Sequence, residues 1–140
     1  MGVPINSIDI SYKDEAPYLM VAGTFNGAVC IVLYESGKVI SKIDNCHAGY
    51  ISAICVIQQV EELHFATLSN DKLIIWELET AKQIIEVTMA FSDKGDFKWW
   101  DVLEIQGSMY EGNILMAVCA SRDKETRIVK INFSEVTGET

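Results

Sequence analysis

Short segments in which apolar and polar residues alternate follow one another along this chain, and turn residues separate them. The most regular stretch covers residues 46–86, where the pattern predicts four β-strands at 51–56, 63–68, 73–78 and 83–87. Asn70-Asp71 separates the second strand from the third. Asn and Asp favour tight turns because they tolerate left-handed backbone geometry and hydrogen-bond to nearby backbone. The stretch therefore predicts one antiparallel sheet of four short strands.

The same pattern recurs on both sides of this stretch. Residues 5–10 and 100–105 repeat the spacing of apolar positions at 51–56. Asn26, Asp71 and Asp123 then share one position, at separations of about 45 and about 52 residues. This period predicts three repeats, at about 5–45, 46–88 and 97–140, within a single domain that spans residues 1–140.

The repeat alignment carries two further expectations. Ile5, Ile51 and Trp100 occupy equivalent positions, so all three are expected to point inward. Residues 106–112 are expected to form a loop, because they interrupt the apolar pattern with Gly and polar residues.

Three short motifs of the middle repeat are similar to those of a known family. They are His47-Ala48-Gly49, Ser69-Asn70-Asp71 and Ile74-Ile75-Trp76-Glu77. Together they resemble one WD40 repeat. The resemblance implies an all-β fold made of antiparallel four-stranded blades of a WD40-like β-propeller, with about three blades in this chain.

The resemblance also implies a buried hydrogen-bonded network in the middle repeat. Its expected members are His47, Ser69 (or Thr67, two residues earlier on the same strand face), Asp71 and Trp76. Such a network satisfies an imidazole, a hydroxyl, a carboxylate and an indole N–H together, and it fixes a sheet that has little core of its own. Asp71 and Trp76 lie one residue closer than is usual in the family, so a tighter turn is expected. In the first repeat Val32 stands at the Trp position, and no His precedes the first strand.

About three blades are too few to close a propeller, since typical rings have 4–8. Three alternatives remain open. The chain is part of a longer propeller, or the ring is completed by a second copy or a partner chain. In the third alternative the strands close differently, as a small barrel or sandwich. Blade faces left uncovered would expose apolar surface, which marks an interface.

Composition and charge narrow the class of protein. The 49% hydrophobic content indicates a folded chain, and no apolar run reaches the ~18 residues that span a bilayer. The net charge of −9 disfavours nucleic-acid binding, because it repels phosphate. The four cysteines lack metal-ligand spacing, so reduced thiols, no metal and a cytoplasmic or nuclear location are expected. They are Cys30, Cys46, Cys55 and Cys119.

No catalytic or cofactor-binding motif is recognisable, so a non-enzymatic protein without a cofactor is expected. The resemblance implies a protein–protein interaction scaffold, part of a larger propeller or complex, whose partners are other proteins. The loops that the family uses for docking contain Phe25, Asn26, Tyr50, Asn70, Lys72, Lys98, Trp99, Arg122 and Lys124. One alternative is a structural subunit of a cytoskeletal or coat-type assembly, in which open blade faces form the interface. Another is a phosphoinositide-binding propeller, although the chain lacks the paired arginines which that function requires.

Overall fold

The computed structural model describes residues 4–58, 63–88, 102–110, 113–120 and 126–132. These residues form eleven β-strands in three antiparallel sheets, and no helix occurs among them. The first sheet has the order β1-β2-β3-β4, with β1 Ile5–Lys13, β2 Ala16–Thr24, β3 Val29–Leu33 and β4 Val39–Ile43. The second has the order β5-β6-β7-β8, with β5 Ala53–Gln58, β6 Leu63–Leu68, β7 Leu73–Glu77 and β8 Lys82–Val87. The third has the order β11-β10-β9, with β9 Val102–Tyr110, β10 Asn113–Ala120 and β11 Thr126–Asn132. The predicted all-β fold of antiparallel sheets is confirmed, and the first two sheets have the predicted four strands.

The first two sheets pack face to face through one hydrophobic cluster. On the first sheet the cluster includes Leu19, Val21 and Ile31, which alternate with residues of the other side because successive strand residues point in opposite directions. On the second sheet it includes Phe65 and Trp76, whose rings stack with centroids 5.6 Å apart. Burial of these side chains supplies the main driving force that joins the two sheets.

The first strand of each sheet lies next to the first strand of the following sheet. β5 contacts β1 on one side and β9 on the other. Polar side chains of β1 bind the backbone around β5: Asn6 Nδ2 donates to the carbonyl oxygen of Ile51 at 2.8 Å, and Asp9 Oδ2 accepts from the N–H of Val56 at 2.7 Å. This succession of inner strands is the arrangement of neighbouring blades around a propeller axis.

The expected loop at residues 106–112 is wrong in its first part. Residues 106–110 are not a loop, because they continue β9 and pair with β10 as far as Tyr110 opposite Asn113. Pairing with the long, apolar strand β10 outweighs the weak strand propensity of residues 106–110.

The expectation that Ile5 points inward is also wrong, since Ile5 is 60% exposed although its repeat equivalent Ile51 is fully buried. Ile51 packs against Gly23 of the first sheet, whereas no sheet of the described residues lies over Ile5 in the same way. Trp100 lies outside the described residues.

Among the residues that the structure describes, no helix is long and apolar enough to cross a membrane.

Candidate functional site

A chain of hydrogen bonds runs through the second sheet and ends at the loop before β5. Trp76 Nε1 donates to Thr67 Oγ1 at 2.9 Å, and His47 Nε2 lies 2.8 Å from the same hydroxyl. His47 Nδ1 lies 3.0 Å from Asp71 Oδ1, and Asp71 Oδ2 accepts from the N–H of Ala48 at 3.2 Å. Because Thr67 accepts from Trp76, its own hydrogen is free for His47 Nε2, which leaves the His47 proton on Nδ1 facing Asp71.

This donor order agrees with a neutral imidazole. Burial lowers the pKa of His47, although its hydrogen bond to Asp71 acts in the opposite direction. Partial burial of Asp71 raises the pKa of its carboxyl, but the hydrogen bonds from His47 and Ala48 outweigh it and the net direction is downward. A neutral His47 and an ionised Asp71 are therefore the stable pair at neutral pH.

Thr67, and not Ser69, supplies the hydroxyl of this chain. The two residues are two positions apart and so share one face of the sheet, but Ser69 lies just after the end of β6. The Ser69 hydroxyl instead lies 3.4 Å from Asn70 Oδ1 and takes no part in the contacts with His47 or Trp76. The sequence named Ser69 first and Thr67 as its alternative, because a spacing of two residues preserves the strand face, and the structure selects the alternative.

The order Asp71, His47, Thr67 is that of a hydrolase triad, but its geometry does not suit a nucleophile. The Thr67 hydroxyl is fully buried and already accepts from Trp76. A nucleophilic hydroxyl must reach a substrate and must have its proton taken by the base. Here the hydroxyl contacts only protein groups, so the chain locks β6, β7 and the loop before β5 together.

The loops at this end of the two sheets are held by backbone hydrogen bonds. The Gly27 carbonyl oxygen accepts from the N–H groups of Cys46 and His47, and the Thr24 carbonyl oxygen accepts from the N–H of Ile51. Gly27 has a φ of 83° and packs directly under the His47 backbone, so a side chain at this position has neither the conformation nor the space it needs. The β2–β3 turn and the loop before β5 are thus joined into one hydrogen-bonded unit.

Two aromatic side chains project from this hydrogen-bonded unit. Phe25 from the β2–β3 turn and Tyr50 from the loop before β5 contact each other with ring centroids 6.0 Å apart and planes tilted by 44°. Phe25 is 53% exposed and Tyr50 is 50% exposed. The sequence proposed each residue separately as a docking candidate, but the contact between them depends on the packing of the first sheet on the second.

The other docking candidates divide into two groups. Asn26, Asn70 and Lys72 lie on the same group of loops as the aromatic pair: Asn26 and Asn70 are exposed, and Lys72 is half-buried. Thr24 Oγ1 donates to Asn26 Oδ1 at 2.5 Å, and Lys72 Nζ donates to Glu86 at 3.0 Å. The second group lies outside the described residues. It consists of Lys98, Trp99, Arg122 and Lys124.

Sequence reasoning missed the polar residues of β1 that bind the backbone of β5 and of the loop before it. Asn6, Ser7 and Asp9 do so, since Ser7 Oγ also donates to the Ile51 carbonyl oxygen at 3.2 Å. The signal was present in the alternation of polar Ser7, Asp9 and Ser11 with apolar Ile8 and Ile10 along β1. These positions face the neighbouring sheet, where a polar side chain is satisfied by backbone groups.

The described residues contain no group of three or more His, Cys, Asp or Glu side chains that could hold a metal ion. Within the same residues Cys30, Cys46 and Cys55 are free thiols. Burial raises the pKa of Cys55 to about 12, and burial also raises the pKa of Cys46. Both thiols therefore stay protonated at neutral pH, which makes them poor nucleophiles.

Comparisons with known proteins agree on the fold. The structure resembles that of the RRP9 WD40 repeats, with a TM-score of 0.62 and 10% sequence identity over 94% of this chain. It also resembles the Cps50 (Swd1) β-propeller domain of Myceliophteria thermophila, with a TM-score of 0.59 and 16% identity over 92% of this chain. A third similar structure is U3-55K, with a TM-score of 0.57 and 9% identity over 91% of this chain. No protein-family model matches the sequence, and a search of the curated proteins finds no match.

The chain therefore has the fold of consecutive blades of a WD40-type β-propeller. It spans 39%, 38% and 52% of the length of the three similar chains.

Proposed function

We propose that this chain is a non-enzymatic protein-interaction module, and that its partner protein docks on the loops around Phe25 and Tyr50. The observation that carries the proposal is the exposed aromatic pair on loops that hydrogen bonds join to each other. Exposed aromatic side chains with little conformational freedom are the residues that most often dominate protein–protein binding energy. Their loops are already ordered, so binding does not require a further loss of backbone entropy.

The chemistry around the pair fits a protein better than a nucleic acid or a small reacting molecule. The net charge of −9 opposes phosphate backbones, and the Asp71–His47–Thr67 chain is buried in structural contacts. Asn26 and Asn70 provide exposed amide groups beside the rings, which suits the polar rim of a protein interface. The cytoplasm or the nucleus is the proposed location, where free thiols persist.

The test compares partner binding by the natural protein and by a variant with Phe25→Ala and Tyr50→Ala, with Tyr34→Ala as the matched control. Tyr34 is also an exposed tyrosine, at 47%, but it follows β3 at the other end of the sheet. Proteins that co-purify with each version are quantified by mass spectrometry, and thermal unfolding checks the fold. The recovered amount of at least one partner protein should be about tenfold or more lower with the double variant, as expected for the loss of about 1.4 kcal/mol or more of binding free energy at an interface hot spot. Equal partner recovery for the double variant and Tyr34→Ala would contradict the proposal.

A second candidate function is supported by a different surface. One side of the first sheet exposes apolar residues, including Ile8 and Val39. Contiguous apolar surface of this kind favours a structural subunit that is buried in a larger assembly. The two functions are compatible, because the loops and the sheet side are separate surfaces.

A further inference from the structure

The last strand of the first sheet, β4, has a free edge, called here the outer edge. The strand order β1-β2-β3-β4 places β4 opposite β1, and β1 is the strand that contacts β5. β4 is therefore the outer strand of its blade. Blades pack on one another through their faces, so the outer edge stays uncovered whatever number of blades completes the ring. Within the described residues no further strand pairs with this edge.

The outer strand of the second sheet, β8, is a matched comparison for β4. Both strands are the last of a four-stranded sheet and both pair with the strand before them. Both pairings also shift register at the same place, between Ile31 and Val32 in β3 and between Ile75 and Trp76 in β7. The backbones of the two edges are thus alike, and any difference between them lies in the side chains.

Polar side chains shield the edge of β8. Its three exposed residues are Lys82, Gln83 and Glu86. Glu86 Oε1 accepts from Lys72 Nζ at 3.0 Å and from Gln83 Nε2 at 2.8 Å. Charged and polar side chains of this kind are the means by which natural edge strands avoid pairing with another chain.

β4 lacks this shielding. Val39 is 54% exposed and Ile40 is 46% exposed, although β-branched residues favour paired strands. Ile43, at the other end of β4, packs against the hydrophobic cluster, so β4 is anchored to its sheet while its first two residues face water. An exposed apolar edge on an ordered sheet is a template for a further strand.

Lysine side chains lie on both sides of the exposed apolar pair. Lys42 Nζ is 3.9 Å from Asp44 Oδ1, but both side chains are more than half exposed, so this ion pair contributes little. Among the described residues Lys38 forms no salt bridge. The nearest carboxylates along the chain, Glu35 and Asp44, lie beyond the two ends of β4. The outer edge is therefore locally positive in a chain whose net charge is −9.

We propose that the outer edge binds an extended, acidic segment of a partner protein, which adds to the first sheet as a fifth strand. The segment carries apolar residues against Val39 and Ile40 and an acidic residue on each side of them, facing Lys38 and Lys42. Backbone hydrogen bonds to β4 supply the affinity, and the side-chain pairs supply the specificity. The outer edge is separate from the aromatic pair, so this interaction does not rest on the loop-docking function.

A second copy of this chain fits the outer edge less well than such a segment. An antiparallel copy that joins Ile40 to Ile40 would place Lys38 opposite Lys42 of the other copy, and this would occur twice by symmetry. Like charges directly opposite each other destabilise a strand pair. Two chains that each carry a net charge of −9 also repel one another at long range.

Selection of phage-displayed random linear peptides on the natural protein tests the proposed chemistry. Enriched peptides should combine alternating apolar residues with Asp or Glu on both sides of them. Each peptide is then measured against Lys38→Glu and against Lys82→Glu, a control that changes the net charge equally, because Lys82 has in β8 the register position of Lys38 in β4. Lys38→Glu should weaken binding about fivefold or more, and Lys82→Glu less than about twofold. Equal losses for the two variants, enriched peptides without acidic residues, or no enriched peptide would overturn the proposal.

Hydrogen exchange of the natural protein with and without the tightest selected peptide shows whether the peptide adds as a strand. Amides of β4 should exchange about tenfold or more slowly in the complex, because the new strand pairs with N–H groups of the outer edge, whereas amides of β8 should not change. Unchanged exchange in β4, or protection confined to the β2–β3 turn and the loop before β5, would overturn the proposal. The variant with Phe25→Ala and Tyr50→Ala should bind the peptide as the natural protein does, so failure of this proposal is distinguishable from failure of the loop-docking function.

Discussion

The first and second sheets share strand order and register, but their equivalent sides differ in chemistry. In the second sheet this side carries Thr67 and Trp76, both buried under the first sheet and joined by a hydrogen bond. In the first sheet the same two register positions hold Ala22 and Val32, and no hydroxyl or indole N–H needs a partner there. The polar chain is thus specific to the second sheet and is not repeated in the first.

The difference shows how two similar sheets are stabilised by different means. The second sheet joins β6, β7 and the loop before β5 through polar groups that are costly to leave unpaired. In the first sheet the turn between β2 and β3 is closed by Thr24, whose hydroxyl accepts from the Ala28 N–H and donates to Asn26. A local turn contact replaces the longer chain, so the first sheet should tolerate polar-to-apolar changes that unfold the second.

The largest effect is expected for Thr67→Val, which removes the hydroxyl while keeping the shape of the side chain. Trp76 Nε1 and His47 Nε2 then lose their shared partner in a site without access to water. Two unpaired buried groups should lower the free energy of unfolding by about 3 kcal/mol. Denaturant titration followed by Trp fluorescence measures the change.

Ser69→Ala is the matched control for this variant, because the Ser69 hydroxyl has only a 3.4 Å contact with Asn70. It should change the free energy of unfolding by less than about 0.5 kcal/mol. If the two variants lost equal stability, the assignment of Thr67 to the polar chain would be wrong.

The second prediction concerns the contact that joins the two sheets. Gly23→Ala places a Cβ atom within 2.5 Å of the Ile51 side chain, so the sheets must move apart or Ile51 must leave its rotamer. Overpacking of this kind should cost about 2 kcal/mol in the free energy of unfolding. Gly49→Ala is the control, since its Cβ atom would make only ordinary contacts at 3.5 Å or more. A Gly23→Ala variant as stable as the Gly49→Ala variant would show that the inter-sheet contact is loose.

The sequence predicted the features that depend on local pattern. The strands of the second sheet were expected within two residues of their observed ends, because β-branched residues and the Asn70-Asp71 turn determine them locally. The WD40 resemblance also predicted the polar chain, since His47, Asp71 and Trp76 lie in motifs similar to those of the family. Alternation alone could not separate Thr67 from Ser69, because both lie on one strand face.

Other features depend on contacts that no local pattern encodes. Ile5 and Ile51 have the same residue type and the same repeat position, yet one is exposed and the other is buried. Ile51 is buried against Gly23 of the first sheet, a contact that depends on how the two sheets pack. The Phe25–Tyr50 contact likewise joins two loops that are 25 positions apart in the sequence and meet only after the sheets have packed.

The third prediction uses acid to test the neutral state of His47. Burial lowers the pKa of His47 in the folded protein below its ordinary value of 6.5, so the unfolded chain binds more protons as the pH falls through that value. The stability due to His47 is therefore fully present above about pH 6.5 and is lost as the pH falls below it. The pKa of Asp71 is also lowered from 3.8, which adds a further loss at lower pH in the same direction.

Thermal unfolding at a series of pH values between 8 and 4 measures this dependence. The melting temperature of the natural sequence should fall as the pH drops below neutrality. His47→Gln should be less stable at pH 8 but should show a flatter profile between pH 7 and pH 5, because the titrating group is absent. A profile of unchanged slope in His47→Gln would contradict a buried neutral imidazole.

The smallest effect is expected at the equivalent turns that lead into β4 and β8. The first sheet uses Gly37 with a φ of 74° at this turn, whereas the second sheet uses Ala81 with a φ of 59°, a conformation that costs a residue with a Cβ atom. Ala81→Gly should raise the free energy of unfolding by about 0.5 kcal/mol, since relief of the backbone strain exceeds the loss of one partly buried methyl group. Gly37→Ala is the reciprocal change, and it should cost about 1 kcal/mol although its Cβ atom would meet nothing within 4 Å. Denaturant titration of both variants measures the free-energy cost of a positive φ for a residue with a Cβ atom, once by removing that atom and once by adding it. Equal signs for the two changes would show that the turns of the two sheets are not equivalent.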